Sequence, residues 1–193
     1  MSRSWSDGTW THEPAAVEEV GGDLVVTAVE GSDAWRHTSY GFVHDTEHAL
    51  LAPFAIDTAV EVEFTAAFSG EFDQAGIFVR AGDEHWIKAG VEFADGVPGV
   101  GAVVTDIRSD WSIAPVPDWT DRRITVRVRW TGDALTVRAA PTGEPLRLVR
   151  VLPFLPADPG AVGAGPMVCG PTRAGLRVPF HAWRVTDAEA SLH

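Results

Sequence analysis

The stretch Phe72–Phe93, FDQAGIFVRAGDEHWIKAGVEF, decides the fold of this chain. Apolar side chains alternate with other types on both sides of residues 81–84, which predicts two β-strands joined by a tight turn. The predicted core face carries Ala75, Ile77, Val79, Ile87, Ala89, Val91 and Phe93. The opposite face carries Gln74, Gly76, Phe78, Arg80, Trp86, Lys88, Gly90 and Glu92.

The composition of that opposite face indicates a binding or catalytic surface. It mixes an amide, charges of both signs and two aromatic rings, which is unusual for the solvated side of a strand. Lys88 is the only lysine in the chain. The two glycines would let a ligand approach the backbone. The alternative is plain solvent exposure, with cross-strand ion pairs as its only content.

The rest of the chain also predicts strands, and no segment shows a sustained helical period. The predicted strands are residues 24–29, 36–44, 58–65, 101–106, 124–130, 146–152 and 175–183, and the turn at residues 131–133 leads to a further alternating segment with Leu135, Val137 and Ala139. Short strands separated by regular turn signals are typical of an antiparallel sandwich or barrel. The Pro- and Gly-rich residues 153–166 predict a long surface loop and not a linker. We therefore expect one domain over residues 1–193.

Composition restricts the classes of partner. The formal net charge of −12 argues against nucleic acid, which needs a basic footprint, and against anionic membrane surfaces.

The N-terminus has no apolar signal-type region, and no apolar run is long enough to span a bilayer, so a cytoplasmic location is the simplest expectation. The single cysteine, Cys169, lies in an apolar segment and is predicted to be a buried, inert thiol. No zinc-type spacing and no phosphate-binding glycine loop is present, so we predict no metal and no cofactor.

Two further segments supply candidate site residues. Residues 105–112, TDIRSDWS, follow a predicted strand, and Asp110 and Trp111 either line the rim of the same face or belong to a turn. Residues 35–45, WRHTSYGFVHD, supply Arg36, His37, Tyr40 and His44 as plausible members, although a single histidine on a strand is more often structural.

A pair of carboxylates, Glu61 and Glu63, lies on one face of a predicted strand. Such a pair is typical of glycosidases. Because Arg127 and Arg129 present cations on another strand, we expect charge pairing across an outer sheet surface instead.

Several of these motifs together resemble the regulation-of-enolase-protein family, within the concanavalin A-like superfamily. They are WRHTSYGFVHD, FDQAGIFVR, EHWIKAGVEF, VVTD, SDWS and MVCGP, and the resemblance runs from about residue 5 to residue 183. It implies an all-β, two-sheet antiparallel jelly-roll sandwich whose concave sheet face is the usual ligand site. Retaining glucanases of that superfamily carry Glu-x-Asp-x-x-Glu, but the nearest match, residues 71–76, ends in Gly76, which argues against glucanase chemistry.

The sequence leaves three functions open. The first is binding of a carbohydrate or small metabolite on the concave face. The second is an enzyme acting on a sugar-like substrate, with Lys88 and Glu92 as catalytic residues. The third is a regulatory module with a protein partner, and a homodimer is also possible because sandwich edge strands often pair. The expected ligand-binding residues are Arg36, His37, Tyr40, Gln74, Phe78, Arg80, Trp86, Asp110 and Trp111.

Overall fold

The computed structural model describes residues 1–188 and is built almost entirely of strands. The strands in the first half are β1 (Thr9–Trp10), β2 (Ala16–Val20), β3 (Asp23–Thr27), β4 (Ala34–Arg36), β5 (Val43–Asp45), β6 (His48–Pro53), β7 (Thr58–Thr65), β8 (Gln74–Gly82) and β9 (His85–Ala94). The strands in the second half are β10 (Val97–Asp106), β11 (Arg108–Pro115), β12 (Arg123–Thr131), β13 (Ala134–Pro141), β14 (Arg147–Pro153), β15 (Gly163–Cys169) and β16 (Arg177–Asp187). Three single-turn 3-10 helices occupy Trp5–Asp7, Pro117–Trp119 and Pro159–Ala161.

The strands form two seven-stranded sheets and one small hairpin. The front sheet has the order β1-β6-β15-β8-β9-β10-β11, and the back sheet has the order β14-β13-β12-β7-β16-β3-β2. Strands β4 and β5 pair only with each other. Neighbouring strands within both sheets are antiparallel. The predicted class, a two-sheet jelly-roll sandwich of the concanavalin A-like type, is confirmed.

The hydrophobic core lies between the two sheets. The predicted core face of the β8–β9 hairpin is buried there, and Ile77 and Val91 belong to one core cluster with residues of β7, β12 and β16 in the back sheet. The turn between β8 and β9 falls at Asp83 and Glu84, within the predicted segment. Because side chains alternate along a strand, the other face of the β8–β9 hairpin, which carries Gln74, Lys88 and Glu92, lies outside this core. We call this side of the front sheet the site face.

Residues 36–44 do not form the single strand that the sequence predicts. The chain leaves β4 after Arg36 and enters β5 at Val43, with a loop between them. His37, Ser39 and Gly41 have φ values of 63°, 62° and 76°, which no strand accommodates. The loop is closed by the His37 N–H donating to the Phe42 carbonyl at 2.7 Å. The predicted single strand is therefore wrong: only Arg36, Val43 and His44 of this segment belong to strands, and the residues between them reverse the chain.

The predicted long loop over residues 153–166 is shorter than expected. Strand β15 begins at Gly163 and occupies a central position in the front sheet, between β6 and β8. Its residues are almost all buried, so its sequence shows no alternation that would identify a strand. Pro166 lies within it, opposite Ile77.

The outer face of the back sheet carries the predicted charge pairs. Arg184 contacts both Glu61, at 2.9 Å, and Glu63. Arg127 lies 3.6 Å from Glu61, and Arg123 lies 2.6 Å from Glu63. Burial opposes the charge of Glu63, but Arg184 and Arg123 lower the pKa of this carboxyl overall. These glutamates therefore serve as ion-pair partners and not as an acid/base couple.

Within residues 1–188, none of the helices has the length and apolar character needed to cross a membrane. The prediction of one domain covers residues 1–193 and so extends past the described part of the chain; it stays a prediction.

Candidate functional site

A pocket of about 350 Å³ opens on the site face of the front sheet. Strands β8 and β9 provide polar residues to its floor, and the segment around β4 and β5 provides aromatic residues to its wall. It is lined by Gly31, Asp33, Trp35, Tyr40, Phe42, His44, Phe72, Gln74, Lys88, Glu92, Val103, Trp111 and Pro171. We call this the front pocket.

An ion pair lies on the floor of the front pocket. The Lys88 ammonium donates to Asp33 Oδ1 at 2.7 Å, and Lys88 is only 5% exposed. The same oxygen accepts from the Ala34 backbone N–H at 2.8 Å and from the Gln74 amide at 3.4 Å. Burial would lower the pKa of Lys88, but Asp33 and then Glu92 raise it overall. Lys88 is therefore a permanent cation neutralised by Asp33, and not the lowered-pKa base that the enzyme hypothesis requires.

Glu92 is the free acid of the front pocket. It lies opposite Gln74 in the β8–β9 register, four residues along β9 from Lys88 and on the same face of the strand. Within residues 1–188 its carboxylate accepts no hydrogen bond and forms no ion pair within 4 Å. Burial, with Asp33 and Glu71 as nearby negative charges, raises its pKa to about 7 against the opposing effect of Lys88. This carboxyl changes charge near neutral pH.

The wall of the front pocket is a ladder of aromatic rings. Trp35 meets Tyr40 edge-on with ring centroids 5.8 Å apart, and Tyr40 stacks on Phe42 at 5.3 Å. Phe42 in turn meets the His44 ring at 4.5 Å. Tyr40 is 61% exposed and Phe42 is exposed beside it, so together they form a contiguous apolar patch of the kind that marks binding surfaces. We call these four residues the aromatic ladder; Trp111 of β11 and Phe72 add two further rings to the pocket lining.

The β4–β5 hairpin is anchored to the front sheet by polar contacts. The Arg36 backbone N–H donates to Ser109 Oγ at 2.9 Å, and Ser109 Oγ also bonds Thr105 Oγ1 at 2.8 Å. The Arg36 guanidinium donates to Glu84 at 2.5 Å and lies 3.9 Å from Asp45. Arg36 therefore holds the hairpin in place and does not line the front pocket.

The aromatic pair Phe78 and Trp86 does not reach the front pocket. Each is 1% exposed, and their rings stack with centroids 5.3 Å apart. They form a second apolar cluster on the site face with Ala34, Trp35, Ala49, Val103, Met167 and Cys169. The β4–β5 hairpin covers this part of the sheet, so residues expected to stack against a ligand are packed against the protein instead.

Three other predicted ligand residues also lie away from the front pocket. Arg80 donates to Asp83 at 2.7 Å and lies 3.7 Å from the buried Glu47 carboxylate. Asp110 accepts from Arg150 of β14 at 2.9 Å, because alternation along β11 turns it away from Trp111. His37 lies in the loop between β4 and β5, where it does not line the front pocket.

The glycines of the site face form a row across the front sheet, through Gly76, Gly90 and Gly101. A small cavity of about 20 Å³ lies over Gly90 and Gly101 and shares Lys88 and Glu92 with the front pocket. A Cβ at Gly90 would lie 2.1 Å from the Ala75 carbonyl oxygen, and one at Gly101 would lie 2.0 Å from that of Ser112. Glycine is therefore required at these positions because the neighbouring backbone lies too close for a Cβ. The glycines also leave the space that forms the small cavity.

Six of the residues predicted from the sequence line the front pocket, namely Tyr40, His44, Gln74, Lys88, Glu92 and Trp111. Sequence reasoning did not identify Asp33, Trp35, Phe42 or Phe72 as site residues. Asp33 lies in a Gly-Ser-Asp segment that indicates only a turn, so its contact with Lys88 depends on tertiary structure. A signal for Trp35 and Phe42 existed in their closeness to Tyr40 along the chain.

The remaining chemical groups near the site face have structural partners. Cys169 is fully buried, and burial raises the pKa of its thiol well above the usual value, as expected for an inert cysteine. Glu71 accepts from the Asp95 N–H at 3.0 Å, and Asp73 pairs with Arg173 at 2.6 Å. No group of three or more potential metal-ligating side chains was found among residues 1–188.

Comparison with known proteins identifies relatives along nearly the whole chain. Residues 10–188 match the model of a family described as "Protein of unknown function (DUF1349)". The chain is 36% identical over 181 residues to Regulation of enolase protein 1 of Saccharomyces cerevisiae, covering 94% of this chain and 90% of that protein. An uncharacterised protein of Emericella nidulans is 35% identical over 74 residues, which is 35% of this chain and 37% of that protein.

Solved structures share the fold. A functionally unknown protein from Saccharomyces cerevisiae superposes with a TM-score of 0.89 at 34% identity, covering 97% of this chain and 100% of that one. A xylan β-1,4-xylosidase from Bacillus halodurans superposes with a TM-score of 0.73 at 12% identity, over 96% of this chain but 38% of the enzyme. The second likeness shows a common fold alone.

Proposed function

The chain belongs to the DUF1349 family of proteins, with Regulation of enolase protein 1 as a relative, and we propose that it binds a carbohydrate or small metabolite in the front pocket. The observation that carries this proposal is the combination of an aromatic wall with a polar floor in one pocket of about 350 Å³. Ligand sites are concave, largely apolar and furnished with a few convergent polar groups. The resemblance to concanavalin A-like proteins supports this proposal, because it implies that the usual ligand site is the concave sheet face, with which we identify the site face.

The polar groups available to a ligand are few and fixed. The Gln74 amide donates to the Phe72 carbonyl at 3.1 Å, which orients the side chain. The Lys88–Asp33 pair leaves further donor and acceptor capacity on both groups, because an ammonium has three donors and a carboxylate has about four acceptor sites. Glu92 adds a carboxyl without a protein partner. Such preorganised groups give a ligand a defined orientation at low entropic cost.

A thermal-unfolding screen with neutral sugars, sugar phosphates, amino sugars and carboxylic acids tests this proposal. A ligand at about 100 times its dissociation constant stabilises the protein by about 2.7 kcal/mol. We expect at least one compound to raise the melting temperature of the wild type and of Leu155→Ala, a control at a 79% exposed residue that does not line the front pocket. The same compound should have no effect on Trp111→Ala. A shift that survives in Trp111→Ala would contradict binding in the front pocket.

A catalytic function is the second candidate, because Glu92 has a pKa of about 7. A carboxyl with this pKa is suited to general acid/base catalysis at neutral pH. In this case Glu92 would transfer the proton and Lys88 would bind or polarise the substrate. Turnover of any compound found in the screen, lost in Glu92→Gln but retained in the Leu155→Ala control, would favour catalysis over binding alone.

The name of the yeast relative also suggests regulation of a metabolic enzyme through a protein partner. The exposed rings of Tyr40 and Phe42 would then belong to a contact surface. A homodimer and a cytoplasmic location likewise stay predictions. Failure of every small molecule in the screen would move the proposal to this third function.

A further inference from the structure

The distribution of charge in the front pocket discriminates between classes of ligand. Its one cation, among residues 1–188, is Lys88, and Asp33 already neutralises it at 2.7 Å. The carboxyl of Glu92 has no protein partner there, and Glu71 is a further negative charge acting on it. A phosphate or carboxylate ligand would therefore meet a cation that is already paired and the unpaired carboxyl of Glu92. An anion is the class of ligand that this arrangement favours least.

The aromatic ladder provides a second feature that favours a cationic ligand. Trp35, Tyr40 and Phe42 stand in continuous ring contact, and Trp111 lines the pocket as well. The faces of aromatic rings attract cations, and they do so most strongly where water is partly excluded. Several rings beside an unpaired carboxylate form the kind of environment that recognises ammonium groups.

From this geometry we infer that the ligand of the front pocket carries an organic ammonium group, as an amino sugar or a quaternary amine does, placed between Glu92 and the aromatic ladder. This inference rests on the proposed function and specifies the ligand class of the same pocket. Gln74 and the Lys88–Asp33 pair would contact the uncharged polar part of the ligand, since all three lie on the pocket floor.

The protonation state of Glu92 determines whether the affinity for a ligand rises or falls with pH, and this direction can be measured. The titratable and charged groups around this carboxyl are Lys88 and Glu71, with Asp33 beyond the ammonium and His44 across the pocket. A cation binds the ionised carboxylate, so its affinity should rise by about tenfold from one pH unit below the Glu92 pKa to one unit above it. A neutral sugar that accepts a hydrogen bond from the protonated acid should instead lose affinity over the same interval.

The test uses pairs of probes that differ in charge. Choline is compared with 3,3-dimethylbutan-1-ol, its uncharged isostere, and glucosamine is compared with glucose; glucose 6-phosphate serves as the anionic probe. Dissociation constants are measured by calorimetry on the full chain, for the wild type, Glu92→Gln and Glu19→Gln. Glu19 is exposed on β2 of the back sheet, so its variant makes the same change of net charge away from the pocket.

The inference predicts that at least one cation binds at least about tenfold more tightly than its neutral match, as one charge-assisted contact allows. This preference should disappear in Glu92→Gln and persist in Glu19→Gln. The quaternary and sugar pairs identify which kind of ammonium the pocket accepts. Thermal unfolding of each variant shows that it is folded.

Two results would overturn the inference and are distinguishable from each other. Equal or tighter binding of glucose or glucose 6-phosphate, sensitive to Trp111→Ala, would refute the ammonium class while leaving the proposed binding function intact. Absence of binding by all five probes and by the compounds of the wider screen would refute both.

Discussion

Glu92 shows how one side chain links stability to pH. Its pKa is raised from 4.5 to about 7 in the folded chain, so the folded state holds a proton that the unfolded state has released. Stability from this group is present below pH 4.5 and is lost as the pH rises through about 7. A shift of this size corresponds to roughly 3 kcal/mol at most.

We therefore predict that Glu92→Gln is more stable than the wild type above pH 7 and that the difference shrinks toward acid pH. Urea unfolding at several pH values measures it. Glu19→Gln serves as the control for net charge and should follow the wild type. A difference between Glu92→Gln and wild type that does not depend on pH would show that the carboxyl titrates normally.

The pair of Lys88 and Asp33 belongs to the same scale. Lys88→Met leaves the Asp33 carboxylate without its cation in a partly buried position, and we expect a loss on the order of 3 kcal/mol. Asp33→Asn should cost a similar amount, because it leaves a buried ammonium. The double variant should lose less than the sum of the two, as urea unfolding of all four proteins would show. Strict additivity would mean that the contact contributes nothing.

Individual residue types indicated part of the site from the sequence. The only lysine, on a strand face with an amide and a glutamate, indicated the pocket floor because such groups rarely share a face without a ligand or partner. The sequence did not reveal that Lys88 has Asp33 as its partner, 55 residues away along the chain. Nor did it reveal Glu47, a fully buried carboxylate whose oxygens accept no hydrogen bond in the structure and whose pKa is raised by burial.

At the scale of elements, the β4–β5 hairpin determines which residues of the site face can reach a ligand. Alternation correctly placed Phe78 and Trp86 opposite the main core, and the sequence therefore predicted that their rings were available to a ligand. The hairpin covers them, because Trp35 and Ala34 pack into the same cluster. Alternation assigns a side chain to a face of a sheet, but it does not show what lies over that face.

Trp86→Ala therefore should destabilise the protein instead of removing a ligand contact. We expect a loss of about 3–5 kcal/mol, as for other large aromatic residues deleted from a core. Tyr40→Ala is the matched control: its ring is 61% exposed, so stability should change little. Denaturant unfolding measures both, and a fully stable Trp86→Ala would place that ring outside the folded core.

The anchor between the hairpin and the front sheet gives another prediction. Ser109→Ala removes the acceptor of the Arg36 backbone N–H, and we expect a loss of about 1 kcal/mol. Hydrogen exchange at the Arg36 amide should become faster than in the wild type. Ser112→Ala, on the opposite side of β11, is the control and should leave that amide unchanged. Unchanged exchange at Arg36 in Ser109→Ala would show that Ser109 does not hold the hairpin.

At the scale of the whole molecule, regular alternation and frequent turn signals were sufficient for the class of fold. Strands β7, β8, β9 and β12 alternate clearly in residue type along the sequence, and they were predicted nearly to their ends, although both faces of β8 and β12 are largely buried in the structure. Strand β15 is buried on both faces and was not predicted. The front pocket lies between the front sheet and the β4–β5 hairpin. It could not be predicted as a whole, because nothing in the sequence shows that the segment around β4 and β5 packs over strands β8 and β9.

Nuclear magnetic resonance of the indole N–H groups tests the central claim of a front-pocket ligand site most directly. The chain has eight tryptophans, of which Trp35 and Trp111 line the front pocket, while Trp130 and Trp183 are buried in the core between the sheets. Titration with the best compound from the screen should shift the Trp35 and Trp111 signals and leave those of Trp130 and Trp183 in place, with Trp111→Phe identifying one signal by its loss. Shifts confined to other tryptophans, or no shift at saturating ligand, would contradict the account.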